Sequence, residues 1–109
     1  MAWDVSFTEA AMESLQRISD RRIQRLIVNR AQQLAEDPRA LGTPLRDELR
    51  GLHSTRAVGQ RYRIVFRINE EQHQVIVIAA GIRREGHRHD IYALTQRLIR
   101  LGLVEPPQD

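Results

Sequence analysis

The chain has 109 residues and no cysteine. That excludes a disulfide framework, a thiolate zinc site, an iron–sulfur cluster and a cysteine nucleophile. It has no lysine either, so all 17 residues of the Lys+Arg total are arginine. GC-rich coding sequence favours that bias, and so does a need for forked, permanently charged phosphate ligands. Long hydrophobic runs are missing too. The longest, Val75 to Ile82, has eight residues, whereas a membrane helix needs about 20. Met1-Ala2-Trp3-Asp4 has neither the basic stretch nor the apolar core of a signal peptide. The expectation is a soluble cytoplasmic protein. Neither repeats nor a linker divide the chain, and its length suits one core. A single domain over residues 1–109 is expected, with 102–109 a frayed tail.

The net charge of +3 hides an uneven distribution. From His53 to Arg100 nine arginines face four acids, or +5, and the remaining residues hold eight arginines against ten acids, or −2. A basic half on a small domain points to a polyanion, nucleic acid first.

Trp3 to Phe7 alternates apolar and polar and predicts a short strand. Thr8 is an N-cap for a helix with Ala11, Met12, Leu15 and Ile18 on one face. Ser19-Asp20 breaks that helix and caps another, marked by Ile23, Leu26, Ile27, Arg30, Ala31 and Leu34. Pro38 ends it near Glu36-Asp37, and a loop follows to Pro44. From His53 the period changes to two. Ser54–Val58 and Arg61–Ile68 read as strands around Gly59-Gln60, with Tyr62, Ile64, Phe66 and Ile68 on one face and Arg61, Arg63, Val65 and Arg67 on the other. Gln74–Ala80 is apolar on both faces and reads as a central strand. A basic loop, Gly81–Arg88, leads to a helix from about Asp90. The predicted fold is α+β: a helical hairpin on a four-stranded, mainly antiparallel sheet, with a C-terminal helix (βααβββα).

Two segments carry candidate chemistry. Arg56 and Arg63 flank a tight turn, where one phosphate is within reach of both if they share a sheet face. The same pattern also describes the solvent face of an amphipathic strand. The second segment, Gly81 to Tyr92, holds three arginines, His87, His89 and Tyr92 where a strand opens into a helix, and binding residues concentrate in such loops. The two histidines are the side chains here whose ordinary pKa suits proton transfer near neutrality. His87, His89 and Asp90 fit no strong metal motif. Tyr92 suits stacking on a base or orienting a ribose hydroxyl, and equally suits the first core position of the last helix.

The order βααβββ resembles the RelE/ParE toxin superfamily of bacterial toxin–antitoxin pairs. So do Val58 to Phe66, the Val75–Ile78 strand, Gly81-Ile82-Arg83 and Asp90-Ile91-Tyr92. RelE-like members are implied to be small ribonucleases, many of them cutting mRNA on the ribosome, whereas ParE-like members inhibit DNA gyrase by protein contact and need no such residues. The resemblance matches Arg63, Arg83 and Tyr92 to family positions, and Arg56 to a basic position on the preceding strand. A second basic position is Ser54 here. The implied enzyme is a metal-independent endoribonuclease without cofactor. The ribose 2′-hydroxyl is its nucleophile, Arg56, Arg63 and Arg83 hold the phosphate and its developing charge, and the proton carrier is among His87, His89 and Tyr92. Arg61, Arg67, Arg84 and Arg88 are the expected further RNA contacts. The implied partners are mRNA, the ribosome and a cognate antitoxin in a hetero-oligomer. Arg83, just past the buried strand, is expected outside the core, so its loss should cost about 0.5 kcal/mol of stability or less.

Overall fold

The computed structural model describes residues 2–105. The elements are β1 (Asp4–Phe7), α1 (Glu9–Gln16), α2 (Arg21–Gln33), a single helical turn α3 (Pro38–Leu41), β2 (Thr43–Pro44), β3 (His53–Ala57), β4 (Tyr62–Asn69), β5 (Gln74–Ile82) and α4 (Ile91–Arg100), with a 3-10 turn at Asp47–Leu49. They build a five-stranded mixed sheet in the order β1-β5-β4-β3-β2. β1 runs parallel to β5, and every other pair is antiparallel.

The sheet corrects the expected four strands. The missed strand, β2, is a two-residue edge pairing Thr43 with Ser54 and Pro44 with His53. Proline cannot donate to a ladder and is tolerated at such an edge, so the segment has a loop's composition. The parallel pair follows from topology, because the α1–α2 hairpin carries the chain over one face between β1 and the hairpin strands.

Each helix starts at a side-chain cap. The Thr8 hydroxyl accepts from the Ala11 N–H, Asp20 from Arg22 and Ile23, Asp37 from Ala40, and Asp90 from Tyr92 and Ala93. α1 and α2 cover one sheet face through Ala11, Leu15, Ile27 and Ala31, against Ala57, Ile64, Val77 and Ala80. Met12, expected on the inner face, is 49% exposed. α4 covers the other face, where Ile91 packs with Val65, Ile78, Ala79, Leu49, Leu52 and Val104. Past α4 the described chain folds back: Val104 is buried and the Glu105 carbonyl accepts from Arg67. Of the tail expected to fray, 106–109 lie outside the described residues.

One irregularity sets the site. Phe66 pairs with Val77 but Val65 pairs with Ala79, so Ile78 is an extra residue in β5. A bulge of one residue reverses the side-chain alternation beyond it. Val75 and Val77 pack on the α1–α2 side, whereas Ala79 and Gly81 share the face of their partners Val65 and Arg63. Beyond Phe7, where β1 ends, α1 completes the edge of β5. The Thr8 hydroxyl shares its one proton between the carbonyls of Val77 (3.0 Å) and Ile78 (3.1 Å), and the Ala80 N–H donates to the Ser14 hydroxyl (3.1 Å).

Candidate RNA-binding and active site

Arg56 and Arg63 are direct partners across the β3–β4 ladder. Opposed residues on antiparallel strands point to the same face with Cβ atoms about 5 Å apart, so the two arginines do share a side of the sheet. They line one concavity of about 370 Å³ with Arg30, Ser54, Thr55 and Tyr92. Arg56 is exposed and has no ion-pair partner among the described residues. Arg63 folds over the turn and donates from Nη1 to the carbonyls of Gln60 and Tyr62. That turn holds Val58 and Gly59 at φ of 52° and 68°. The reversal is sharp enough to bring the two arginines to the same end of the hairpin.

Arg30 also belongs to the site. It sits on the apolar stripe of α2, where helical spacing marks it as a packing position. Its guanidinium reaches across to β3, donating to the Arg56 carbonyl (3.1 Å) and the Thr55 hydroxyl (2.9 Å). An arginine interrupting an apolar stripe was the available signal.

Tyr92 closes the wall of the concavity. Its hydroxyl lies 2.9 Å from that of the buried Ser54, and either can donate. Above the ring sits the Arg83 guanidinium, its Cζ 4.5 Å from the centroid, a cation–π distance. Arg83 also donates from Nη1 to Asp90 Oδ1 at 2.8 Å. Asp90 is only 3% exposed. Burial pushes its carboxyl up, but the Arg83 guanidinium and the backbone N–H groups of Arg84 and Ala93 outweigh burial and leave it below its ordinary 3.8. Arg83 is thus a structural partner of a buried charge, which corrects the expectation that its loss is cheap.

The structure brings together Arg56, Arg63 and Tyr92 in the hollow, with Arg83 touching the tyrosine ring but not among the residues that line the hollow. It places the other candidates elsewhere. His87 and His89 sit on the exposed loop, their ring centroids 5.3 Å apart. His89 borders a separate apolar groove between the α1–α2 corner, Tyr62, Ile82 and Leu94. Asp90 turns inward from both histidines to Arg83, so these three do not converge as metal ligands. Arg61, Arg84 and Arg88 are exposed near the same end of the sheet. Arg67 is not. It lies four residues beyond Arg63 on β4, about 13 Å along the strand, and its side chain, 15% exposed, is paired with Glu105.

A helical hairpin on one face of a mixed sheet, with an arginine-lined hollow at the end of the other, defines a class of small α+β proteins. Residues 5–86 match the family model of the ParE toxin of the type II toxin–antitoxin system parDE. Toxin RelG of Mycobacterium tuberculosis is 33% identical over 92 residues, covering 84% of this chain and 98% of its own. Toxin RelE of the same organism is 33% identical over 86 residues, covering 79% and 87%. Among solved structures, the RelBE2 toxin–antitoxin complex of M. tuberculosis aligns with a TM-score of 0.69 at 32% identity, covering 76% of this chain and 100% of that one. The chain belongs to the RelE/ParE superfamily of type II toxin–antitoxin toxins. No helix among its described residues is long and apolar enough to cross a membrane.

Proposed function

We propose that this toxin is an endoribonuclease that cleaves mRNA, on the ribosome, and is neutralised by a cognate antitoxin. The observation that carries the proposal is the opposition of Arg56 and Arg63 in one hollow walled by Tyr92. Two arginines paired across a ladder concentrate positive charge on one side of the sheet, and their forked guanidiniums suit a shared phosphate. Attack by the ribose 2′-hydroxyl, which gives up its proton, breaks the bond from phosphorus to the 5′-oxygen of the next nucleotide; that oxygen leaves with a proton, and a 2′,3′-cyclic phosphate remains. Arg56 and Arg63 hold the phosphate as charge builds, and Arg83 adds a cation above Tyr92.

The Tyr92 hydroxyl borders the hollow, whereas His89 borders a different groove. The proton-transfer role therefore goes to Tyr92, with Ser54 orienting its hydroxyl. Tyr92→Phe should slow cleavage about 100-fold, while His87→Ala and His89→Ala, which remove no proton carrier, should each stay within about tenfold of wild type. Single-turnover cleavage by the purified variants measures both. A histidine variant that loses activity as Tyr92→Phe does would return the proton to the loop.

Two observations favour a second reading, a ParE-like gyrase inhibitor: the matching family model is that of ParE, and Ser54 stands where a second basic residue is expected. The two are separated by expressing the toxin alone and pulse-labelling the cells. The ribonuclease reading predicts that protein synthesis falls first. If DNA synthesis fails first, the gyrase reading takes its place.

A further inference from the structure

We propose that Asp90 is a positioning residue of the arginine site, a buried carboxylate that locks the Arg83 guanidinium over the Tyr92 ring so that both meet the RNA as one unit. Its kinetic consequence rests on the ribonuclease reading, and its structural consequence does not.

A helix cap needs one acceptor oxygen, and Ser, Thr or Asn would supply it. Asp90 uses two. Oδ2 accepts the capping N–H groups of Tyr92 (3.0 Å) and Ala93 (3.4 Å). Oδ1 accepts the Arg83 Nη1–H (2.8 Å) and the Arg84 N–H (2.5 Å), so it ties the basic loop to the helix carrying Tyr92. Only a carboxylate combines the cap, the second acceptor and the charge that holds a guanidinium. Burying that charge is costly unless it is paired, and here the pairing fixes the long Arg83 side chain. One of its five N–H donors is spent on Asp90, and the others stay available to an anion. Without Asp90, Arg83 would sample many rotamers, and preorganised charge would be lost at the moment of reaction.

Asp90→Asn separates the two duties. Asparagine keeps one oxygen for the cap and turns an NH₂ toward Arg83, so the helix stays and the lock opens. The first readout is side-chain nitrogen NMR of Arg83. Wild type should show slowed guanidinium rotation with distinct Nη signals, and Asp90→Asn should show them merged. The second is single-turnover cleavage on programmed ribosomes by wild type, Asp90→Asn, Arg83→Ala and the double variant. Asp90→Asn should lower the maximal rate about 30-fold, leave half-saturation nearly unchanged, and add nothing in the Arg83→Ala background. If Asp90→Asn fails to fold, Asp90→Ser, which restores a one-oxygen cap, takes its place. Unchanged Arg83 signals in the folded variant, or additive losses in the double variant, would overturn the proposal. A wild-type protein that cuts no RNA but shows the Arg83 lock released in Asp90→Asn would sink the ribonuclease reading and leave the positioning role standing.

Discussion

Arg83 is bound to two neighbours at once, and that makes its removal a double experiment. Arg83→Ala should lower cleavage by about 10²–10³-fold through lost charge stabilisation. It should also cost about 2 kcal/mol of stability, because it strands the buried Asp90 carboxylate, which keeps only its backbone donors. Urea unfolding beside single-turnover cleavage checks both, and a variant as stable as wild type would mean that the pair is not formed in solution. His53 makes a second residue-scale prediction. It stacks on Phe66 with its Nδ1 buried, and burial, with Arg39 nearby, holds its pKa below 6.5. A base depressed in the folded state takes up its proton more readily in the unfolded chain. Stability therefore falls as pH drops below about 6.5 and stops falling once the folded value is passed. Wild type should lose more stability than His53→Leu between pH 7 and pH 5. Equal losses in chemical denaturation would show that His53 titrates normally.

At the scale of elements, the joint between α1 and β5 decides where the site points. Thr8 caps α1 and shares its hydroxyl proton between two carbonyls at the bulge. Thr8→Val keeps the shape and removes the hydroxyl, leaving those carbonyls and the Ala11 N–H without it. It should destabilise by about 2 kcal/mol, and a melt within a degree of wild type would contradict the stitching role. Thr8, Asp20 and Asp90 were recognisable as caps or helix starts from the sequence, because cap chemistry is local. The alternation that put Arg63 opposite the face of Ile64 and Phe66 was legible for the same reason. Two things were not. β2 is too short, and too proline-marked, to have a period of its own. The bulge at Ile78 lies inside an unbroken apolar run, where no polar residue marks the change of phase, so the facing of Gly81 and Arg83 could not be read. Arg30 was hidden differently: its role depends on α2 crossing β3, a tertiary fact. The Asp90–Arg83 pair was within reach, seven residues apart, but only the turn between them aims the carboxylate back.

For the whole molecule, the charge asymmetry along the chain becomes an asymmetry in space. The hairpin end of the sheet carries Arg56, Arg61 and Arg63, and the loop before α4 adds Arg83, Arg84 and Arg88. A polyanion held by these side chains should bind more weakly as salt rises, and each phosphate-contacting arginine removed should reduce the slope of log affinity against log salt by about one. Arg67→Ala, whose side chain is committed to Glu105, should leave that slope unchanged. On the ribonuclease reading the opposed arginines serve RNA cleavage. Its most direct test is to map RNA ends after adding purified toxin to ribosomes paused on a defined mRNA, with Arg56→Ala and Arg63→Ala as folded controls. Wild type should make a discrete cut bearing a 2′,3′-cyclic phosphate, and each variant should lose about 10²-fold or more. Intact mRNA with wild-type toxin, or a cut that survives removal of both arginines, would contradict it.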